Sequence, residues 1–210
     1  GAELIVHGHD FQESLEHAIA LAEARRLHMV QSFDPKLVAG VGTYGLELFR
    51  GVPDLDAVYV PVGLGSGICG VMAARDAVGS KAEVIGVVAA NAPAYALSFE
   101  AGKPVSTNTA DTMADGVACR VPVQGALDAI LKGASGVVRV TEDEIKAAMR
   151  HYFTDTHNVA EGAGAAPLAA LLKERDRWRG RKVGVILSGG NVDRTVYQAV
   201  LQEADSGETN

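Results

Sequence analysis

Pro61-Val62-Gly63-Leu64-Gly65-Ser66-Gly67-Ile68-Cys69-Gly70 decides the fold. The run before it, Ala57-Val58-Tyr59-Val60, is apolar and predicts a buried strand. The run after it, Val71-Met72-Ala73-Ala74-Arg75-Asp76-Ala77, predicts a helix. A strand that feeds a glycine-rich turn and opens a helix gathers several free N–H groups at one point. Missing Cβ atoms let a ligand approach that backbone, and the helix N-terminus adds partial positive charge. Together these make an anion site, most often for phosphate.

The spacing Gly65-x-Gly67-x-x-Gly70 also matches a dinucleotide fingerprint. That reading needs an acidic residue about twenty positions on, at the end of the next strand. The next strand, Val84-Ile85-Gly86-Val87-Val88, runs into Ala89-Ala90-Asn91, and Glu83 lies at its other end. No Lys-Ser or Lys-Thr closes the loop, so a P-loop fails as well. The loop therefore predicts a site for one phosphate group of a ligand other than NAD or ATP. A turn that binds nothing is the alternative on the loop alone.

Strand and helix signals alternate along the chain. Strands are expected at Glu3–His7, His28–Gln31, Ala57–Val60, Val84–Val88, Val137–Val140 and Lys182–Leu187. Asp10 with Glu13 predicts a capping box opening a helix to Leu27, on which Leu15, Ala18, Ile19 and Ala22 share a face. Further helices are expected at Pro35–Phe49, Pro93–Glu100, Gln124–Leu131, from Thr141 (with Glu144 a second capping box) to Phe153, at Ala163–Arg175 and at Arg194–Glu203. Ala101–Arg120 reads as a long polar loop. Successive β-α units favour an α/β fold with a mainly parallel sheet and helices on both faces. Ligands of such a sheet sit at the carboxyl ends of its strands, where both glycine-rich turns fall.

The second such turn is Ser188-Gly189-Gly190-Asn191-Val192-Asp193. With it the chain resembles the fold-type II pyridoxal-phosphate enzymes, the tryptophan synthase β-like group, in their threonine dehydratase and serine racemase branch. PVGLGSGICG is similar to the family's phosphate loop, and LSGGNVD to the segment that meets the pyridine ring. Ala39-Gly40-Val41-Gly42-Thr43-Tyr44-Gly45-Leu46-Glu47, Ala114-Asp115-Gly116-Val117 and Glu161-Gly162-Ala163-Gly164-Ala165 agree in order, and Val140 to Ile145 also resembles this branch. The resemblance implies the C-terminal part of such an enzyme, with residues 1–33 a remnant of the smaller domain and 34–210 the larger cofactor-binding domain.

The resemblance also implies roles. The N–H groups of Gly63, Leu64, Gly65, Ser66 and Gly67 take the phosphate of pyridoxal 5'-phosphate. Leu64 and Ser66 replace two of the family's glycines, so Leu64 must keep a negative φ, and Ser66 can add a hydroxyl donor. Ser188, followed by Gly189, faces the pyridine nitrogen; a helix N-cap is its other reading. Glu161 lies near the ring, or serves as a helix-start acid. Asn191 fixes the 188–190 turn, and Asp193 sits in the first turn of the following helix. Tyr44 stands where the family usually has a smaller or aliphatic residue, so a narrowed site is expected wherever its ring falls. Ala89, with Ala94 and Tyr95 after it, replaces the acids of a divalent-metal site, so no metal is expected there. His7-x-His9, read within a strand, is a thin metal signal outweighed by a surface reading. His151 and His157 have no evident partner.

The family's Schiff-base lysine sits in a Ser-Phe/Tyr-Lys setting, and none of the seven lysines here does. No catalytic residue is therefore expected on this chain. The lysine segment is expected in cis or on a companion chain, together with the loop for the substrate carboxylate. The implied activity is a lyase that takes a small 2-amino-3-hydroxy acid, such as threonine or serine, to a 2-oxo acid and ammonia. A racemase, and a catalytically incomplete fragment that binds only cofactor or partner, are the alternatives. A homo-oligomer is expected, and so is poor solubility of the chain alone.

Net charge is −7 and the pI about 5.3, which argues against nucleic acid and anionic membrane surfaces as partners. No apolar run reaches a membrane span, and Glu3 interrupts any signal peptide. Cys69 and Cys119 form no CxxC pair and read as reduced, buried thiols, consistent with a cytoplasmic protein.

Overall fold

The structure, a computed structural model, describes residues 1–203, so the last seven positions of the expected 34–210 domain lie outside the described residues. Four parallel strands form the sheet: β1 (Ala57–Pro61), β2 (Glu83–Ala89), β3 (Gly136–Val140) and β4 (Val183–Val185). Their spatial order is β3-β2-β1-β4. Tyr59 of β1 lies opposite Ile85 on one side and Val185 on the other.

The helices are α1 (Phe11–Arg25), α2 (Pro35–Gly51), α3 (Ser66–Val78), α4 (Ala94–Ala101), α5 (Gln124–Gly133), α6 (Glu142–Thr156), α7 (Gly162–Lys173) and α8 (Arg194–Gln202). Short 3-10 turns lie at Asp115–Val117 and Arg175–Trp178. Alternate residues of β1 enter two separate cores. Ala57 and Tyr59 join Ile85, Val87 and the residues of α6 and α7. Val58, Val60 and Val62 join Val84, Val88 and the residues of α3 and α5. Helices on both faces make every position an inside position, which is why β1 and β2 read as continuous apolar runs.

The expected helices all form, with ends shifted by a few residues. At α6 the capping box is complete: Glu144 N donates to Thr141 Oγ1 at 3.2 Å, and Thr141 N donates to Glu144 Oε2 at 2.7 Å. At α1 the box is offset. Asp10 accepts the Glu13 N–H at 3.0 Å, but the Glu13 carboxylate takes the N–H of His9 instead of Asp10. Residues 101–120 form the expected irregular connection, broken by the 3-10 turn at Asp115.

Two expected strands do not form. Glu3–His7 and His28–Gln31 are irregular and have no ladder neighbour among the described residues. Leu4 and Val6 are each 87% exposed and Val30 is 73% exposed. An extended segment without a neighbouring strand has nothing to pay its backbone ordering cost, whatever its β-propensity. The apolar face of α1 buries only Ala22. His7 stacks on His17, with ring centroids 3.8 Å apart, so the His7-x-His9 pair is not a strand pair.

Candidate active site

The strand order brings the two glycine-rich turns together. β4 pairs directly with β1, so the turn after Pro61 and the turn after β4 leave the same sheet end side by side. A cavity of about 220 Å³ lies between them. Its walls include Gly63, Leu64, Gly65, Ser66, Gly67, Gly116, Glu161 and Ser188, with Tyr44 closing one side. Gly189 stands just behind the wall: its carbonyl accepts the Glu161 N–H at 3.1 Å.

The loop presents unpaired donors. The first helical bond of α3 runs from Cys69 N to Gly65 O, so the N–H groups of Gly63 to Gly67 find no carbonyl among the described residues. They converge on the N-terminus of a 13-residue helix whose first turn carries no acid. That is the electrostatic setting an anion requires. Gly65 holds φ at +97°, and a Cβ there would stand 2.7 Å from Ala126 Cβ. A Cβ on Gly63 would stand 2.3 Å from the Gly116 carbonyl oxygen. The cradle therefore exists only as glycine at both positions. Leu64 keeps a negative φ, as its place in the loop demands.

Ser188 lies beyond the end of β4 and points its residue into the cavity wall. It is not a helix N-cap, because that position belongs to Asp193 at the start of α8. Its hydroxyl makes no hydrogen bond among the described residues and is free for a ligand. Glu161 holds the backbone N-cap position of α7 but does not cap that helix with its side chain. Its Oε2 accepts the Asn191 N–H at 2.9 Å instead. Asn191 thus fixes the turn through its backbone.

Two tyrosines shape the loop. Tyr95, fully buried, donates its hydroxyl hydrogen to the Leu64 carbonyl at 2.8 Å and accepts the Val123 N–H at 3.0 Å. No sequence signal marks this role. Tyr44 Oη lies 3.3 Å from the Gly67 carbonyl, and burial pushes its pKa up to about 12. Ala89 and Ala94 are fully buried in the core. His151 pairs with Asp155 at 3.1 Å, and His157 caps the end of α6 with φ +56°. Among the described residues no group of three or more His, Cys, Asp or Glu side chains is placed to hold a metal ion.

A second cavity of about 290 Å³ adjoins the first and shares Gly63, Leu64, Ser66 and Gly116 with it. Phe11 and Ser32 close it from the N-terminal segment, and Asp115 and Cys119 from the 115–119 turn.

The chain matches the family model described as pyridoxal-phosphate dependent enzyme over residues 1–189. The chain belongs to that family. Among its relatives in the pyridoxal-phosphate dependent family is the L-threonine ammonia-lyase of Thermotoga maritima, 35% identical over 204 residues. That match covers 97% of this chain and 51% of the relative, so the chain spans about half the length of that protein. The processed form of threonine deaminase isoform 2 from Solanum lycopersicum superposes with a TM-score of 0.87 at 30% identity, over 93% of this chain and 55% of that one. Maize serine racemase superposes with a TM-score of 0.85 at 26% identity, over 95% and 62%.

The residues present fit the family's cofactor. Five backbone donors at a helix N-terminus suit its phosphate, and the free Ser188 hydroxyl across the same cavity suits its ring nitrogen. None of the seven lysines lines either cavity. Lys146, Lys173 and Lys182 are held in ion pairs with Glu203, Glu144 and Asp54.

Proposed function

We infer that this chain is the cofactor-holding part of a pyridoxal-phosphate-dependent ammonia-lyase. Its substrate is a small 2-amino-3-hydroxy acid such as L-threonine or L-serine, released as a 2-oxo acid and ammonia. The observation that carries this reading is the single cavity shared by the Gly63–Gly67 donors and Ser188. The relatives named as threonine ammonia-lyase and threonine deaminase support the substrate class.

When bound, the cofactor supplies an electron sink that makes the α-hydrogen of an amino acid acidic. The chain's own residues do the rest of what is assigned here. Gly63 to Gly67 hold the phosphate. Ser188, a neutral donor, would give its hydroxyl hydrogen to the ring nitrogen. Glu161 holds the 189–191 turn and with it the position of Ser188. The adjoining cavity takes the substrate, closed on one side by Phe11 and Ser32.

The anchoring lysine comes from sequence outside this one, in cis or on a companion chain, and the chain alone binds without turnover. Residues 1–33 belong to a smaller domain and 34–210 to the larger one. The support is that α1 buries one residue only. The assembled enzyme is a cytoplasmic homo-oligomer; the cytoplasm keeps free thiols such as the buried Cys69 and Cys119 reduced. Among the described residues no helix is long and apolar enough to cross a membrane.

Borohydride reduction of the protein purified from its source, followed by peptide mass mapping, tests the reading. A pyridoxyl group on a companion polypeptide or an extension of this chain supports it; its absence everywhere removes turnover from the assignment. In the assembled enzyme Ser188→Ala slows turnover substantially, and an unchanged rate removes the role of Ser188. The likeness to a serine racemase favours a second reading in the same chemistry. D-serine rather than pyruvate as the product from L-serine would establish it.

A further inference from the structure

On the cofactor reading above, we propose that the Tyr44 hydroxyl is a direct ligand of the cofactor phosphate, closing the side of the cradle that the glycine loop leaves open. The position follows from the α2–α3 crossing. A Cβ on Gly70 would stand 2.8 Å from Gly42 N, so the two helices touch backbone to backbone. That contact sets the register of α2 and carries Tyr44, two residues beyond Gly42, to the first turn of α3. There its ring lines the same cavity as Gly63, Ser66 and Ser188.

The hydroxyl's one proton is weakly committed. Its one hydrogen bond among the described residues, to Gly67 O, is 3.3 Å long. Good O–H···O bonds are about 2.7–2.8 Å. A phosphate oxygen accepts, so the hydroxyl's single proton is what it would take from that long bond. Tyr95 provides the contrast: its proton is committed at 2.8 Å, it also accepts at 3.0 Å, and it does not line the cavity. Tyr95 therefore braces the loop from behind, and Tyr44 faces what the loop holds. Burial keeps the Tyr44 phenol protonated, hence a donor, throughout the neutral range. Trading a distant neutral carbonyl for a phosphate oxygen makes the bond charge-assisted, roughly twice as strong. No lysine or arginine lines this cavity, so a single side-chain donor carries weight.

Equilibrium dialysis of the chain with pyridoxal 5'-phosphate, inorganic phosphate and unphosphorylated pyridoxal tests this. Tyr44→Phe should weaken the two phosphate-bearing probes about tenfold, the scale of one hydrogen bond to a charged group, and leave pyridoxal unchanged. Thermal melting of the unliganded variant checks the fold. Should Tyr44→Phe not fold, Tyr44→Leu is measured in the same way with the same expectation. Phosphate and pyridoxal 5'-phosphate affinities within twofold of wild type would overturn the inference, leaving Tyr44 as cavity wall. Equal weakening of pyridoxal would also overturn it, since the effect would then fall on the ring. If wild-type protein binds neither pyridoxal 5'-phosphate nor phosphate, the cofactor reading itself fails and the inference with it.

Discussion

The carboxylate of Glu161 accepts the backbone N–H of Asn191 at 2.9 Å, clamping the N-terminus of α7 to the turn that carries Ser188. The same two segments are joined a second time, by the Glu161 N–H donated to Gly189 O at 3.1 Å. One residue at the start of α7 therefore holds both ends of the 189–191 turn between β4 and α8.

Removing that clamp should loosen the turn. Glu161→Ala is expected to cost about 1–2 kcal/mol in urea unfolding, the low end for a hydrogen bond to a charged group at a half-buried site. Glu161→Gln keeps an acceptor oxygen and should cost less than half as much. Gly189→Ala should behave like the loss of the clamp, because a Cβ there would stand 2.6 Å from Glu161 Oε1. Equal stability of all three variants would rule out the clamp.

Tyr95→Phe deletes one buried oxygen and strands two part-buried backbone groups, the Leu64 carbonyl and the Val123 N–H. Each group would cost about 1–3 kcal/mol if fully buried, and partial burial lowers the expected total to about 2–4 kcal/mol. The measurement is a fall in the urea midpoint with the slope unchanged. A loss under 1 kcal/mol, a factor of about five in the folding equilibrium, would mean that Tyr95 does not support the loop.

Gly65→Ala combines a left-handed backbone with a collision at Ala126. We expect a loss of about 2–4 kcal/mol from strain and overpacking. Phosphate binding should fall with it, because relief requires the loop to move. Retained phosphate affinity in a folded Gly65→Ala protein would separate the loop from the anion site.

Burial pushes the thiols of Cys69 and Cys119 up to about 11. A thiol-reactive disulfide reagent at pH 8 should therefore label neither cysteine in the native chain and both after denaturation. The pH dependence has a definite sign. A folded pKa above the unfolded value of 9.0 favours the folded state while the thiol stays protonated. That contribution is complete below pH 9 and is lost as pH rises toward 11. Stability that does not fall across this window in wild type, relative to Cys69→Ala/Cys119→Ala, would contradict it.

Local signals carried much of this architecture. The capping box at Thr141 and Glu144 formed as its spacing dictates, since both partners lie within one turn of the helix. The apolar runs at 57–60 and 84–88 became the central strands. The equally apolar Leu4-Ile5-Val6 did not, because a strand is defined by its neighbour and none among the described residues lies beside it. The shift of the α1 box from Asp10 N to His9 N is below the resolution of a sequence pattern.

By itself the sequence determined the β-α units, the glycine turns and the seven lysines that miss the family setting, because each is a property of residues close along the chain. Only the tertiary structure decided that β4 lies beside β1, which places Ser188 across one cavity from Gly63 to Gly67. It alone decided that the α2–α3 crossing carries Tyr44 to that cavity and that Tyr95 reaches Leu64. The physical reason is the same in each case. Strand order and helix crossing are set by which faces can be buried together, and residues 23, 31 or more than a hundred positions apart have no local term that records it.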